Sequence, residues 1–254
     1  ELLKLAPEMY DITVIGAEPH PNYNRILLSP VLAGEKGLDD IILNSRAWYA
    51  EHGIVLKTGD PVTSIDRVNR RVQTESGDSI GYDRLLIATG SSPFIIPIPG
   101  SQLEGVIGFR DIKDVDTMLE TAGRYEHAVV IGGGLLGLEA ANGLVKQGMK
   151  VKVVHLLDTL MERQLDKPAA DLLKVALEKR GLQFLMEAQT AAILGETRVT
   201  GVRFTDGSEI PADLVVMAVG IRPNMALAQQ ADIYCERGIV VSDTLQTFDP
   251  SIYA

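Results

Sequence analysis

The stretch that decides the fold is VVIGGGLLGLEAANGLVKQGMKVKVVHLL, residues 129–157. It begins with an apolar, β-branched run at 129–131 that is typical of a buried strand. Glycines follow at positions 132, 134 and 137, and a helical pattern and a second apolar strand come next. A strand, a glycine turn, a helix and a strand in this order predict a βαβ unit that binds a dinucleotide.

The glycines of this turn have different roles. The first permits the tight turn, the second lets the backbone approach a pyrophosphate, and the third lets the helix pack on the strand. The helix N-terminus then offers unpaired N–H groups to the phosphates. We therefore predict that Gly132, Gly134, Leu135, Leu136 and Gly137 bind a nicotinamide nucleotide. A glycine turn that only packs the unit is the alternative.

The end of the second strand bears on coenzyme choice. An NAD site usually has an acid there that binds the ribose hydroxyls. This chain has His155, with Asp158 three residues later and no arginine directly after the strand. NADH and NADPH both remain open, and His155 is either a nucleotide contact or a strand-end residue without a ligand. Glu139, in the first turn of the helix, is either a ligand contact or a carboxylate favoured by the helix dipole.

The chain repeats one plan. Residues 77–93 resemble residues 207–223 at a constant offset, and residues 52–56 resemble residues 180–184. The apolar run at 12–15 corresponds to the run at 151–154. Such internal similarity predicts two copies of one architecture.

The offset between the copies places the first glycine turn before residue 1. ELLKL at 1–5 is then the remnant of the helix after that turn, and the last residues form an apolar, strand-like segment. We expect a chain cut at both ends and inactive by itself, and flavin binding by it is left open.

Three features of the first copy suggest a second dinucleotide. Glu18 lies about 20 residues beyond the inferred last glycine, the interval of a ribose-binding acid; a turn acid is the alternative. Arg25 and Ser29 could hold a pyrophosphate through charge-assisted bonds. Residues 85–93, LLIATGSSP, form a strand and a small turn that permits close approach of a large flat ligand, although a plain crossover turn also fits.

Composition excludes several classes of protein. The net charge of −10 argues against nucleic-acid binding, and no apolar run reaches membrane-spanning length. The one cysteine, Cys235, excludes a redox cysteine pair or a cysteine-bound cluster within the chain, and a cytoplasmic location is expected. We find no nucleophile–His–acid set and no metal-ligand spacing. Two dinucleotide units indicate hydride transfer from a nicotinamide to a flavin, without catalytic side chains.

Several short motifs resemble those of the two-dinucleotide-binding-domain flavoproteins, the FAD/NAD(P)H pyridine-nucleotide oxidoreductases. They are ATGSSP at 88–93, GGGLLGLEAA at 132–141 and AVGIRPN at 218–224. Residues 17–35, 159–166 and 213–224 further resemble the N-terminal flavoprotein part of the large subunits of assimilatory NAD(P)H nitrite reductases. The resemblance covers essentially the whole chain.

The resemblance implies an α/β fold with two Rossmann-like domains, the NAD-type domain being inserted in the FAD-type domain. The FAD-type domain would comprise residues 1–112 and 225–254, and the NAD(P)H-binding domain residues 113–224. The residues implied to contact FAD are Glu18, Arg25, Ser29, Ala88, Thr89 and Gly90. Glu139 would join the glycine turn in binding the nicotinamide nucleotide, as would Gly220, which matches Gly90 in the repeat.

The implied activity is transfer of electrons from NAD(P)H to FAD and onward to nitrite, which is reduced to ammonia. The iron–sulfur cluster and sirohaem of that reaction are expected outside this chain. A stand-alone reductase of rubredoxin or ferredoxin is the first alternative, and a non-catalytic NAD(H) sensor is the second. Pro30 stands where ferredoxin-reductase relatives often have lysine, which puts one phosphate contact in question.

Overall fold

The structure, a computed structural model, describes residues 2–254. Glu1, the first residue of the predicted helix remnant, lies outside these residues. The chain divides into two compact units. The first contains the residues up to Asn24, Ile42–Ser91 and Pro223–Ala254, and the second contains Arg25–Ile41 and Ser92–Arg222.

Seven α-helices and seventeen strands are present in residues 2–254. The helices are α1 Leu2–Leu5, α2 Leu28–Leu32, α3 Arg46–Glu51, α4 Ile112–Ala122, α5 Leu135–Lys146, α6 Lys167–Glu178 and α7 Ala226–Gln230. The strands are β1 Thr13–Gly16, β2 Val55–Thr58, β3 Val62–Asp66, β4 Arg71–Thr74, β5 Ser79–Gly81, β6 Leu85–Leu86, β7 Ser91–Pro93, β8 Val106–Ile107, β9 His127–Ile131, β10 Lys150–Val154, β11 Gln183–Leu185, β12 Thr190–Gly195, β13 Val199–Phe204, β14 Glu209–Pro211, β15 Leu214–Met217, β16 Ile221–Pro223 and β17 Ile252–Tyr253. No helix in this part of the chain has the length and apolar character needed to cross a bilayer.

The second unit is built on a parallel sheet with the strand order β11-β10-β9-β15-β8. Val130 of the central strand β9 pairs with Val153 of β10 on one side and with Val216 of β15 on the other. All three valines are completely buried. Continuous β-branched runs of this kind form parallel strands because both faces of the sheet are covered.

An antiparallel sheet, β12-β13-β14, covers one face of this parallel sheet. Val202 and Phe204 of β13 pack in one buried cluster with Val129 and Ile131 of β9. The central strand is therefore fixed in position, and the turn that follows it begins from a rigid base.

Helix α5 packs against α2 as well as against the sheet. A Cβ atom at Gly143 of α5 would lie 2.7 Å from Leu32 of α2, so the helices approach closely because position 143 has no side chain. The Nε2 of Gln147 donates to the carbonyl of Leu32 at 2.7 Å, and Lys146 forms an ion pair with Glu35.

The first unit repeats parts of the second. Its strands form two parallel pairs, β1-β2 and β6-β17, and an antiparallel sheet, β3-β4-β5. The sheet β3-β4-β5 corresponds to β12-β13-β14, and β1-β2 corresponds to β10-β11, as the sequence repeat predicts. In the described residues of the first unit, no strand corresponds to β9.

The unit boundaries fall at other positions than the predicted domain boundaries. The units change at 91/92 and 222/223, and residues 25–41 belong to the second unit because α2 packs against α4 and α5. The first unit consists of three separate stretches of chain, which agrees with an inserted domain. The domain limits at 112 and 224, with their nucleotide assignments, stay predictions.

Candidate nucleotide-binding site

The predicted glycine turn connects β9 to α5 at the carboxyl edge of the sheet. Gly132 has a φ of +119°, and a Cβ atom there would lie 2.4 Å from the carbonyl oxygen of Ala218. A Cβ atom at Gly137 would lie 2.0 Å from the carbonyl oxygen of Gly132. Both glycines are therefore required by close backbone packing.

Gly134 is a glycine for a different reason. It is the N-cap of α5 with extended backbone (φ −82°, ψ 178°), which other residues also adopt. A Cβ atom there would meet no atom within 4 Å, so the space in front of the helix is open. No hydrogen bond within residues 2–254 occupies the N–H groups of Leu135, Leu136 and Gly137. Open space and three unpaired donors at a helix N-terminus fit a pyrophosphate.

The side chain of His155 packs against the glycine turn instead of pointing into solvent. The residue is only 8% exposed, and its ring lies against Gly133. Asp158, three residues further along, accepts from the Nζ of Lys167 at 3.0 Å and from the hydroxyl of Thr159 at 2.9 Å, and Oε2 of Glu162 lies 3.5 Å from Nε2 of His155. The exposed residues directly after His155 are the apolar Leu156 and Leu157.

Two residues predicted for different nucleotides meet in the second unit. The hydroxyl of Ser29 donates to Oε2 of Glu139 at 2.6 Å. Arg25 lies in the same unit, and its Nη1 donates to the carbonyl of Arg110 at 3.1 Å. Gly220, with a φ of +125°, follows β15 at the same sheet edge, and its carbonyl accepts from the N–H of Phe94 at 2.9 Å.

In the first unit, Glu18 comes two residues after β1 ends. Its Oε2 accepts a hydrogen bond of 2.5 Å from the hydroxyl of Tyr23, which is itself buried. This bond fixes the position of the carboxylate at the carboxyl end of a parallel strand, where ligands of such sheets bind.

The turn at Ala88–Gly90 is exposed and tied to Asn224. The amide of Asn224 donates to the carbonyl of Thr89 at 2.9 Å, and the hydroxyl of Thr89 donates back to the carbonyl of Asn224 at 2.8 Å. A cavity of about 590 Å³ lies beside this turn, lined by Val62, Thr63, Thr89 and residues 223–227, 229 and 230. A small exposed turn beside a cavity of this size fits part of a dinucleotide.

Sequence reasoning missed two residues of these sites. Gly133, the middle glycine of the triplet, is buried by the segment after β10, and only its repetition in GGG could have drawn attention to it. Asn224 closes the motif AVGIRPN, but nothing in the sequence indicates that it bonds to a turn 135 residues away.

The family model described as "Pyridine nucleotide-disulphide oxidoreductase" matches residues 2–254. The chain belongs to the pyridine nucleotide-disulphide oxidoreductase family. The predicted family and the predicted α/β fold class with two dinucleotide-binding units are confirmed.

Two relatives in this family come from Bacillus subtilis (strain 168). "Nitrite reductase [NAD(P)H]" is 55% identical over all 254 residues, and "Assimilatory nitrate reductase electron transfer subunit" is 52% identical over the same length. The chain covers 32% and 33% of these proteins, so it spans about a third of each.

Among solved structures, the chain is similar to a ferredoxin reductase from Rhodopseudomonas palustris. The TM-score is 0.91 at 30% identity, over 99% of this chain and 62% of the other. The predicted likeness of this family member to nitrite reductases and to ferredoxin reductases is therefore confirmed.

Proposed function

We propose that this chain is the FAD- and NAD(P)H-binding module of an enzyme that delivers electrons to nitrite. The observation that carries the proposal is the open glycine turn of the second unit, with three unpaired N–H groups at the start of α5. It occurs in a chain 55% identical to a protein named nitrite reductase. A relative of that identity supports nitrite as the electron acceptor, and the glycine turn supports NAD(P)H as the electron donor.

The NAD(P)H site is assigned to the second unit. The N–H groups of Leu135, Leu136 and Gly137 bind the pyrophosphate, and Gly134 leaves the space for it. Gly132 is required for the shape of the turn, and Gly220 and Glu139 are proposed as further contacts of the nicotinamide nucleotide.

The FAD site is assigned to Glu18 and to the Ala88–Gly90 turn. The carboxylate of Glu18 accepts hydrogen bonds from ribose hydroxyls, and the backbone at Thr89 approaches the ligand without steric conflict. Arg25 and Ser29, which the resemblance also implies as FAD contacts, stay predictions. FAD supplies the chemistry of accepting a hydride from the nicotinamide and releasing electrons one at a time.

A reductase of a small redox carrier is the second candidate function. It is favoured by a 36% identical relative from Paraburkholderia xenovorans (strain LB400), "Biphenyl dioxygenase system ferredoxin--NAD(+) reductase component", of which the chain covers 60%. This second candidate function needs neither the iron–sulfur cluster nor the sirohaem that nitrite reduction would require. The cytoplasmic location stays a prediction.

The experiment uses the full-length gene product that carries this sequence. NADH is added without oxygen, and flavin absorbance and NADH consumption are followed with and without nitrite. Bleaching of the flavin followed by NADH consumption that requires nitrite is the expected result. Bleaching without nitrite-dependent turnover, but with turnover on added ferredoxin or rubredoxin, favours the second candidate. A protein that binds NADH but contains no reducible flavin is the sensor alternative.

A further inference from the structure

The imidazole of His155 is held behind the glycine turn by two hydrogen bonds. The N–H of Gly133 donates to Nδ1 at 3.1 Å. Because a backbone N–H can only donate, Nδ1 has no proton, and the neutral ring has its proton on Nε2. Nε2 lies 3.0 Å from the carbonyl oxygen of Thr159, to which it donates, and 3.5 Å from Oε2 of Glu162.

Gly133 is enclosed from its other side by the segment after β10. Its carbonyl accepts from the N–H of Met161 at 3.0 Å. A Cβ atom at position 133 would lie 2.6 Å from Leu160 and 2.8 Å from the ring of His155. Met161 has a φ of +53°, which is uncommon for a residue other than glycine and shows that the surrounding contacts determine this backbone.

We propose that His155 is a positioning residue that fixes the glycine turn through Gly133, and that it does not contact the ribose. Gly133 immediately precedes the N-cap of α5. Its placement therefore determines where the unpaired N–H groups of the first helical turn point. The inference rests on the proposed NAD(P)H site and replaces the predicted direct contact with an indirect one.

The surroundings of His155 agree with this role. Both ring nitrogens are engaged by the chain itself, so a ribose hydroxyl could bind only after a bond to Gly133 or Thr159 is broken. Asp158 is engaged by Lys167 and Thr159, and Leu156 beside it is apolar and 62% exposed. Because both of its ring nitrogens are already engaged, His155 does not select between NADH and NADPH.

Two variants of the full-length protein separate positioning from direct contact. His155→Asn places an amide oxygen where Nδ1 was and keeps an acceptor for Gly133, whereas His155→Leu removes it. Both variants lose the bond to Thr159. The affinity for NADH and for NADPH is measured by calorimetry, and folding is checked by circular dichroism.

We expect His155→Leu to weaken both coenzymes by about tenfold with an unchanged ratio, because one buried N–H is left without an acceptor. His155→Asn should recover most of this loss. A change of several-fold in the ratio of the two affinities would mean that His155 contacts the ribose. A folded His155→Leu protein with unchanged affinities would also overturn the inference.

A second measurement does not depend on nucleotide binding. The nitrogen chemical shifts of His155 report which ring nitrogen has the proton. The Nε2-protonated form, with slow exchange of the Gly133 amide, is expected. The opposite tautomer contradicts the inference even when nucleotides bind. If the wild-type chain shows the expected tautomer but binds neither coenzyme, the proposed function fails and the geometry of the turn stands.

Discussion

The hydroxyl of Ser29 donates a hydrogen bond of 2.6 Å to the carboxylate of Glu139, which is 110 positions away in the sequence. Ser29 is the second residue of α2. Glu139 is the fifth residue of α5, so it lies just beyond the first turn in which the sequence predicted it. The bond is short because its acceptor is a carboxylate. It joins the two helices at one end, and the contact of Leu32 with Gly143 joins them further along.

This bond predicts a measurable coupling between the two residues. We expect Ser29→Ala and Glu139→Ala each to lower the free energy of unfolding of the second unit. The two losses should not add, with a coupling energy of about 1 kcal/mol, because both remove one charge-assisted bond. Urea unfolding of the wild type, the two single variants and the double variant, followed by circular dichroism, measures this coupling energy. Ser101→Ala, whose hydroxyl has no hydrogen bond recorded in residues 2–254, is the control and should be nearly neutral.

Gly134→Val tests the proposed NAD(P)H site. Position 134 has extended backbone and open space, so the protein should fold normally. The valine side chain then occupies the space proposed for the pyrophosphate, and we expect NADH affinity to fall at least tenfold while flavin content is unchanged. Calorimetric titration measures it. Gly238→Val is the matched control because a Cβ atom there also meets nothing within 4 Å. Equal affinity in the two variants would argue against the site.

Tyr82→Phe should stabilise the first unit. The hydroxyl of Tyr82 is buried without a hydrogen-bond partner in the described part of the chain, and burial raises its pKa. Removing an unsatisfied buried hydroxyl should raise the free energy of unfolding by about 1 kcal/mol. Tyr49→Phe is the opposite control, since the hydroxyl of Tyr49 donates to Asn22 at 2.9 Å and its loss should destabilise. Thermal unfolding of both variants measures these changes in stability. A destabilised Tyr82→Phe protein would mean that water satisfies the hydroxyl of Tyr82.

Arg67→Met should destabilise the first unit in a pH-dependent way. Burial alone would raise the pKa of Asp249, but the N–H of Ser251 and the guanidinium of Arg67, 2.9 Å away, outweigh it and lower the pKa below its usual 3.8. A lowered pKa contributes stability above pH 3.8 that is lost as the pH falls through the folded-state pKa.

The expected loss for Arg67→Met at neutral pH is about 1.5 kcal/mol, the size of a hydrogen bond to a charged group. The difference from wild type should narrow as the pH falls below 3.8 and through the lowered folded-state pKa of Asp249. Urea unfolding from pH 7 to pH 3 measures it. Lys57→Met, which removes a more exposed ion pair with Asp78, should have a smaller effect. A pH-independent loss would assign the effect of Arg67 to its packing on Phe248.

Local patterns predicted the parts of the fold that depend on local rules. The run from Val129 to Val154 gave strand, turn, helix and strand, because glycine spacing and apolar periodicity act within one βαβ unit. The repeat predicted that β3-β4-β5 and β12-β13-β14 share one arrangement. Within each copy, these agreements rest on residues that are close to each other in the sequence.

The side-chain geometry of the sites could not be predicted in the same way. Whether the residue after β10 points into the turn or into solvent depends on Leu160 and Met161, which lie in an irregular segment. The bond between Ser29 and Glu139 requires α2 to pack on α5, and that packing depends on residues far apart in the sequence, among them Leu32 and Gly143. Such long-range packing has no periodic signature.

The discontinuity of the first unit has a consequence for its synthesis on the ribosome. The second unit is complete once Arg222 has been made, whereas the first still needs Ile252, which is completely buried and pairs with Leu85. Chains emerge at about 5 to 20 residues per second. The strand at Leu85 therefore waits about 8 to 33 seconds for its partner Ile252, which is 167 residues later in the sequence. During that interval Ile65 and Ile87, which share a buried cluster with Ile252, remain uncovered. We therefore expect chaperones in the cell to bind mainly the first unit, whose synthesis begins first and whose folding is completed last.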